Sequence, residues 1–565
     1  MKLSSEKNIR TNLNKIFELC KKSDIFRSIF FGTLSFFIIF SLDFAQGRTD
    51  FFYQADSLVE LAAYHSFMNT ELRFPLFNTD KIFPGEDFSL IWLSSSQVYF
   101  FFLKILKSIF NIYFFNPFPL YYFLNFLIFS FVIQKLLNEL NIYSLFQISI
   151  FQFMILLNPV FINRIVYHLN LISHWIIILV IYLSIKISRE DYLSINKLAF
   201  VAGSSIYFHP YISFISSTVF IFYFGFVLLK QKIQNLMRSL LIFIVSISSY
   251  FFFILRPDNL IGGSDSYRGA WSAEFNSFFC ARNPNPFINE KLWCYRPYIN
   301  YDHEGYLYLG LGIIVGLSAL LFNFKSFRQI FNSYYPLITS SVLLLLISFG
   351  NKWKIAHKQI FEFVPNTLFN TILESFRSNG RFGWLFYYCI FISVLVSINK
   401  VKRKFIKYSF FLIVFSFQVA DLQKNYLDYE MKIFNAKEKP TEFINTSLEL
   451  VENNNLLYIY PDDRCFHYEN YYYENDPYLF AIIHLSNGGS INTSRLGRYS
   501  GKYADRQFCE VYNINKEIIE DRPFHFVILK DFYEPISDNF SNYSCDEISS
   551  YMESNKYLLY CTLNN

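Results

Sequence analysis

Two carboxylates with helical spacing lie in the first long polar segment of the sequence. Asp56 and Glu60 are four residues apart in QADSLVELAAYHSF, a stretch with a helical pattern, so they share one face of that helix. Two close carboxylates cannot both ionise freely, which suits a general base or a divalent-cation site. A structural alternative stays open, because Ser57 and Glu60 also have the spacing of a capping box. Further acids in this segment are Asp50, Asp80, Glu86 and Asp87.

Two arginines offer a complementary chemistry later in the chain. Arg377 and Arg381 flank small residues in LESFRSNGRFGW, at the predicted start of a membrane span. Helix N-termini and arginine side chains both attract anions, so this pair predicts a site for phosphate or another anion. Contact with lipid headgroups is an equally simple interpretation.

Histidines and one glutamate lie at other predicted helix ends. His168 and His174 are six residues apart in NRIVYHLNLISHW. On a helix they point about 120° apart and form a poor metal pair. Arg164 and His168 are four residues apart and do share a face. His209 precedes a proline at a predicted external turn, and Glu304 opens a span in HEGYLYLGLG, where the helix dipole favours a carboxylate.

The composition indicates that a membrane surrounds the elements that carry these residues. The 565-residue chain is 53% hydrophobic and 17% charged, whereas soluble domains carry about 25% charged residues. Apolar runs approach the roughly 20 residues needed to cross a bilayer. The predicted fold class is therefore mainly α, a polytopic transmembrane helical bundle of about 11 spans with a small C-terminal α/β soluble domain. We place the spans near residues 26–42, 117–134, 142–158, 168–186, 197–208, 211–229, 238–255, 306–322, 334–350, 381–398 and 406–420.

The positions of the basic residues predict the orientation of this bundle. Residues 1–24 form a basic tail, which we place in the cytoplasm, and later basic clusters then also fall inside. The transmembrane domain, 25–420, carries external loops 44–116 and 256–304, and an extracytoplasmic domain follows at 421–565. The predicted localisation is the inner cell membrane. The net charge of +5 reflects topology, and no nucleic-acid partner is expected.

One apolar segment does not fit this count of spans. Residues 91–110 are apolar enough to cross a bilayer, but a span here would place every later basic cluster outside. We therefore predict an interfacial or re-entrant helix, held by Lys104 and Lys107 snorkelling to the membrane surface.

The C-terminal segment has the pattern of a small α/β domain. LLYIYP (456–461), FHFVILKD (524–531) and KYLLYCTL (556–563) predict strands, and residues 441–453 and 546–555 have helical patterns. Six cysteines fall on the predicted outside, which indicates disulfides in an oxidising compartment. The expected pairs are Cys280 with Cys294, Cys465 with Cys509, and Cys545 with Cys561; Cys20 and Cys389 are expected in the cytoplasm and the membrane.

Several motifs stand in an order that matches a known superfamily. The first loop contains ADSLVELAAYHSFMNTELRFPLFNTDKIFPGEDFSLIW, and NRIVYHLNLISHW, FHPY, HEGYLYLGLG and FRSNGRFGW follow it. Over roughly residues 25–400 the chain resembles the GT-C superfamily of polytopic membrane glycosyltransferases. It is also similar to a bacterial family of membrane proteins related to that superfamily.

The resemblance implies a sugar donor carried on polyprenyl phosphate and an acid in the first external loop that acts as base or metal ligand. It assigns this role to Asp56, with Glu60 or Asp87 as a second acid, and it assigns the donor phosphate to Arg377 and Arg381. A divalent cation is the one candidate cofactor. Supporting candidates are His168, His174, His209 and Glu304.

The leading hypothesis from the sequence is a GT-C glycosyltransferase that moves a sugar to a cell-envelope acceptor on the outer face. Its partners would be the lipid bilayer, a lipid-linked sugar donor and a glycan or lipid acceptor. Alternatives are a transporter or flippase of lipid-linked glycans and a non-catalytic membrane scaffold. Convergence of Asp56, Arg377 and His168 on one outward cavity would favour the enzyme, and their scattering would favour the scaffold.

Overall fold

The computed structural model shows a mainly helical protein with small sheets. The structure describes residues 19–20, 23–47, 55–82, 88–92, 96–167, 169–254, 272–281, 305–322, 332–355, 358–364, 367, 376, 378–422, 444, 447, 456–460, 475–491, 524–529, 543–549 and 557–563. The helices are α1 Asp24–Ile39, α2 Ala55–Asn69, α3 Gln97–Phe110, α4 Phe118–Glu139, α5 Leu145–Leu156, α6 Pro159–Tyr167, α7 Trp175–Ser188, α8 Ser194–Ser204, α9 Pro210–Leu229, α10 Ile233–Phe253, α11 Leu311–Phe322, α12 Tyr335–Ser348, α13 Trp384–Asn399, α14 Lys404–Leu422 and α15 Asn475–Ser486. The strands are β1 Asn78–Thr79, β2 Phe88–Ser89, β3 Lys352–Ile355, β4 Lys358–Glu362, β5 Leu456–Tyr460, β6 Ser490–Ile491, β7 Phe524–Leu529, β8 Tyr543–Ser549 and β9 Tyr557–Leu563.

Each of the eleven segments predicted as spans contains a helix. Among the described residues, five helices are long and apolar enough to cross a membrane, or six if the bent pair α5 and α6 forms one span. Other helices are shorter: α7 and α12 have 14 residues each, about 21 Å at 1.5 Å per residue, against a hydrocarbon core of about 30 Å. The span-length helices are α4, α9, α10, residues Asn379–Asn399 and α14.

Some helices begin at capping residues that are close in sequence, and the start of one helix is held by a residue that is distant in sequence. The Ser23 hydroxyl accepts a hydrogen bond from the backbone N–H of Phe26 at 3.3 Å and caps α1. Pro210 opens α9 in the first turn, where its missing N–H costs nothing. The start of α11 instead depends on α14, because the Asp421 carboxylate accepts from the Leu311 N–H at 3.0 Å. This bond fixes the two helices against each other at that end.

The chain divides into two compact units, and each is described by itself. Unit 2 combines the first predicted external loop with the C-terminal segment and the end of α10, whereas unit 1 contains α1 and most of the helices from α4 to α14. Unit 1 consists of Met1–Phe40, Leu120–Ser248 and Gly262–Lys432, and unit 2 consists of Ser41–Pro119, Ser249–Ile261 and Ile433–Asn565.

Within unit 2, the C-terminal helix α15 packs on α2. The Asn69 side-chain amide donates to the carbonyl of Leu485 at 2.7 Å. Lys81 donates to the carbonyl of Gly488 at 2.6 Å. Ile82 forms an isolated parallel bridge with Ile491, at the end of β6. Residues far apart in sequence therefore share one hydrogen-bonded structure.

A five-stranded mixed sheet in unit 2 has the order β6-β5-β7-β9-β8. β5 pairs in parallel with β6 and β7, and β9 pairs antiparallel with β7 and β8. The predicted strands at 456–461, 524–531 and 556–563 are confirmed. The helix predicted at 546–555 is wrong for its first residues, because 546–549 belong to β8, which is held against β9 by paired backbone groups.

The disulfide predictions are confirmed where the structure describes them. Cys545 and Cys561 are bonded and lie opposite each other in β8 and β9. Cys280 is also disulfide-bonded, and its expected partner Cys294 lies outside the described residues, as do Cys465 and Cys509. Among the described cysteines, Cys20 and Cys389 are free, and neither was expected to pair.

The helix predicted within 91–110 is present as α3, but the predicted role of its lysines is wrong. Lys104 is 9% exposed and donates to the carbonyls of Phe67 and Thr70, at the C-terminal end of α2. Lys107 donates to the carbonyl of Met68 at 3.0 Å. The two ammonium groups satisfy carbonyls that a helix end leaves without partners, so they turn inward and do not snorkel.

Candidate functional site

Most of the predicted site lies where the structure gives no side-chain description. The backbone of Asp56 is in α2, but its side chain is outside the described residues. The predicted convergence of this acid with the arginines therefore stays a prediction. Also outside the described residues are Asp87, His168, Glu304 and Arg377.

Glu60 is the one predicted acid of the site whose side chain is described. It lies on α2, four residues after Asp56, and is 2% exposed. The helix begins at Ala55, so Ser57 lies inside the first turn and does not take the N-cap position. The capping-box alternative is therefore wrong, and that the two acids share one face of this helix stays a prediction from their spacing.

In unit 1, buried polar side chains gather around Trp384 at the start of α13. Arg164, near the end of α6, is fully buried, and its guanidinium carbon lies 5.4 Å from the centre of the Trp384 ring. The His174 ring, just before α7, lies 4.5 Å from the same ring. This part of NRIVYHLNLISHW thus meets FRSNGRFGW in space. We define the polar cluster by its described residues: Asn158, Arg164, His174, Asn379, Trp384 and Tyr388.

Asn158 ties the polar cluster to the break between α5 and α6, where the two helix axes differ by 47°. Its amide oxygen accepts from the Phe161 N–H at 3.0 Å, and its amide nitrogen donates to the Ile155 carbonyl at 2.7 Å. The same nitrogen donates to the Tyr388 hydroxyl at 3.2 Å, which lies 2.8 Å from His174 Nδ1. The Asn158 side chain therefore bonds to the backbone at the end of α5 and at the start of α6, and it connects both to α13.

Arg381 lies one helical turn before Trp384, in the 3-10 turn Asn379–Gly383 that leads into α13. It is 7% exposed, and its guanidinium carbon lies 4.7 Å from the centre of the Tyr211 ring. The Tyr211 hydroxyl accepts from the backbone N–H of Ser378 at 2.7 Å. Tyr211, on α9, thus fixes the turn that carries Arg381.

His209, a predicted supporting residue, has a structural role in the described geometry. It occupies the N-cap of α9, and its Nδ1 accepts from the Tyr211 N–H at 3.2 Å. Its ring is stacked on Tyr211 with centres 5.3 Å apart. His209 therefore orders the aromatic residue on which Arg381 rests.

Several buried polar atoms of the polar cluster find no hydrogen-bond partner among the described residues. They are both amide atoms of Asn379, Nε1 of Trp384 and Nε2 of His174. A buried polar group without a partner costs about 1–3 kcal/mol, so each such group requires an explanation. Amide, indole and guanidinium donors together suit a ligand with several anionic oxygens, such as a phosphate. Neither NPVFINRIVYHLNLISH (158–174) nor FRSNGRFGWLFYY (376–388) contains an acid.

These residues lie within one recognised sequence family. The DUF6311 family of domains of unknown function matches residues 29–423. The chain belongs to the DUF6311 family. The match includes the whole polar cluster and α2, and it ends one residue after α14. No curated protein matches the chain.

Sequence reasoning missed much of the polar cluster in this DUF6311 protein. Asn379 and Trp384 belong to LESFRSNGRFGW, the motif that predicted the arginine pair. Their position in this motif was the sequence signal that could have identified them. Asn158 is marked by the following Pro159, which breaks a helix. Tyr388 has no comparable signal, since tyrosine is common in this sequence and its partner His174 is 214 positions away.

Metal ligation has no support in the described part of the DUF6311 domain. Within those residues, no group of three or more His, Cys, Asp or Glu side chains is placed to hold a metal ion. The side chains of Asp56 and Asp87, the acids proposed for a divalent cation, lie outside the described residues.

Proposed function

We propose that this DUF6311 protein is a membrane glycosyltransferase of GT-C type. It transfers a sugar from a polyprenyl-phosphate donor to a cell-envelope glycan or lipid on the outer face of the membrane. The observation that carries the proposal is the polar cluster with Arg381: two buried arginines and unpartnered buried donors gather at the start of a span-length helix. A lipid-linked phosphate meets the protein at such a place, since its chain stays in the bilayer.

The proposed chemistry assigns one role to the acids and another to the arginines. Asp56 accepts the proton of the acceptor hydroxyl, whose oxygen attacks the anomeric carbon of the sugar. The bond between that carbon and the phosphate oxygen breaks, and polyprenyl phosphate leaves with the electron pair. Arg377 and Arg381 stabilise the negative charge on the leaving phosphate. Glu60 or Asp87 is the second acid.

Turnover of lipid-linked sugars by the purified protein tests the proposal. Arg381→Ala should raise the donor concentration for half-maximal rate about tenfold to a hundredfold, since a hydrogen bond to a charged group contributes about 1.5–3 kcal/mol. Arg381→Lys keeps the charge but loses the forked geometry, so its effect should be intermediate. Exposed Arg403 is the matched control, and Arg403→Ala should leave the rate unchanged. Equal kinetics for Arg381→Ala and Arg403→Ala would contradict the phosphate role.

The proposal includes a topology of eleven spans in the inner membrane. The N-terminal tail is cytoplasmic, and the C-terminal segment forms a small extracytoplasmic α/β domain. Support comes from the helices found at all eleven predicted segments and from the disulfide between Cys545 and Cys561, because disulfides persist in oxidising compartments.

Reporter fusions test this topology. A reporter that is active only outside the cytoplasm should be active when fused after Asn565 and inactive when fused after Arg403. The reason is that α14 is the last predicted span between these two points. If α3 crossed the membrane, both results would reverse, and the eleven-span topology would be wrong.

A transporter or flippase of lipid-linked glycans is the second candidate. The observation that favours it is the broken pair α5 and α6, with buried Arg164 shortly after the break. Transporters use broken helices and intramembrane charges in this way. Reconstituted vesicles distinguish the two functions: a flippase moves the labelled donor between leaflets without consuming it, whereas the glycosyltransferase releases polyprenyl phosphate.

A further inference from the structure

Helix α3 of unit 2 has one packed face and one bare apolar face. Its buried residues, which include Tyr99, Phe100 and Leu103, form the packed face, and α3 contacts α2. The other face carries large apolar side chains every three or four residues, each 40–66% exposed, and exposed Ser108 lies at its edge. This spacing is that of one continuous stripe along a helix. The stripe consists of Val98, Phe102, Ile105 and Ile109, and Phe110 extends it.

The charged residues of α3 are unusual for a helix at a membrane surface. Interfacial helices generally present lysines to anionic headgroups. Lys104 and Lys107 are the only charged residues of α3, and both donate to carbonyls of α2, as described above. Burial, together with the neighbouring charge of Lys107, lowers the pKa of Lys104 to about 8. Both ammonium groups therefore form their hydrogen bonds with carbonyls inside unit 2.

Other exposed apolar side chains of unit 2 lie beside a span-length helix. Leu72 and Phe74 are exposed by 58% and 56%. The Phe74 ring lies 5.3 Å from that of Phe252, near the end of α10, and the Leu76 N–H donates to the Phe253 carbonyl at 2.8 Å. α10 is a span-length helix. Along the chain, α4, another span-length helix, begins eight positions after α3 ends.

We infer that α3 lies flat at the boundary of the bilayer, with its stripe among the lipid acyl chains and with no contribution from headgroup charge. Lipid is the occupant that fits, because the stripe is apolar and α3 is hydrogen-bonded to the span-length helix α10, where the Gln97 amide donates to the Tyr250 hydroxyl at 3.5 Å. A re-entrant course does not fit, since the opposite face of α3 is packed on α2. A spanning course does not fit either, because the 14-residue helix, about 21 Å long, is shorter than the hydrocarbon core.

This arrangement has a consequence for α2. The lysine bonds join the C-terminal end of α2 to α3, so a flat α3 fixes the depth of α2 at the membrane surface. Under the proposed function, α2 carries Asp56 and Glu60, and α3 would anchor the other end of that helix at the membrane surface. This consequence rests on the proposed function, whereas the position of α3 does not.

Spin labels on the stripe test the inference in the full-length protein. Phe102→Cys and Ile109→Cys are introduced separately, with Cys20 and Cys389 replaced by serine, and each label is read in nanodiscs for collision with oxygen and with a water-soluble nickel complex. The two positions are about 10 Å apart along the helix axis. A flat helix gives both labels the same depth, with oxygen contact dominant. A re-entrant or spanning helix gives depths that differ by up to about 10 Å, which would overturn the inference.

Controls separate lipid from the other occupants of this face. Asp80→Cys is the matched control, because this half-exposed charged side chain of unit 2 should face water and meet the nickel complex. If the stripe labels behave like this control, the face is in water and the inference is wrong. If they are shielded from both reagents, a second copy or another protein covers the stripe, which also overturns it. Equal depths in phosphatidylcholine and in phosphatidylglycerol-containing discs are expected, and a depth that depends on anionic lipid would refute the charge-free insertion.

Discussion

Asp56→Asn is expected to lower donor turnover by about 10²–10⁴-fold, the contribution of a general base. The carboxamide has nearly the same size as the carboxylate but does not accept the acceptor proton. Asp56 lies in the first turn of α2, and the parallel unfolding measurement separates loss of the base from loss of the fold. The measurement is release of polyprenyl phosphate by the purified variant, with its thermal unfolding recorded in parallel.

Asp80→Asn is the matched control for this acid. Asp80 belongs to the same loop, but its carboxylate is 52% exposed and lies 3.5 Å from Arg73. Surface ion pairs of this kind contribute about 0–1 kcal/mol, so both turnover and stability should stay close to wild type. Full activity of Asp56→Asn would place the base elsewhere, and Asp87 or Glu60 would be the next candidate. This result would leave the position of α3 untouched.

The sequence was sufficient to locate the helices of the membrane region, but not to decide which of them cross. Apolar runs mark buried or lipid-facing helices, and each predicted span contains one. A run of apolar residues does not reveal where a helix ends. Ser194–Ser204, for instance, is an 11-residue helix, too short for a bilayer by itself. Its end is set by the turn before Pro210 and by neighbouring helices.

Predictions from local pattern failed where a distant partner decides the structure. Residues 546–555 have a helical pattern, yet 546–549 form a strand because β9 and the bond between Cys545 and Cys561 hold them in register. Lys104 and Lys107 look like snorkelling residues of an amphipathic helix. Their actual partners are carbonyls at the end of α2, more than 30 residues earlier. Such contacts become visible only once the two helices are packed together.

The candidate site likewise combines residues that the sequence alone indicates with residues that only the structure reveals. Residue type alone identified Arg381 and the acids of the first loop, because charged groups near a membrane are rare and conspicuous. The polar cluster depends instead on contacts such as that of Asn158 with Tyr388, 230 positions apart. Uncharged side chains of common types carry no functional signal until their burial is known. The unpartnered amide of Asn379 is the clearest example.

A second large effect is expected from pH at His65, in α2. This side chain is fully buried, its Nδ1 lies 2.5 Å from the Tyr113 hydroxyl, and its ring centre lies 5.2 Å from that of Phe115. Burial lowers the pKa of His65 to about 3, and the nearby charge of Lys107 acts in the same direction, against a hydrogen bond with the Phe115 backbone. His65 is therefore neutral in the folded protein, whereas the unfolded chain binds a proton below about pH 6.5.

The free energy of unfolding should consequently fall as the pH drops below about 6.5, by up to about 1.4 kcal/mol per pH unit, and the loss should end near the folded pKa. His65→Phe, which fits among the surrounding aromatic rings, removes the titrating group and should flatten this part of the profile. Tyr113→Phe removes the hydroxyl but leaves the imidazole buried, so it should keep the slope. Thermal unfolding, followed by tryptophan fluorescence between about pH 4 and pH 7.5, measures the difference between each variant and wild type. Because carboxylates titrate alike in all three proteins, the difference isolates the histidine. Identical acid profiles for wild type and His65→Phe would show that a proton reaches His65 in the folded state.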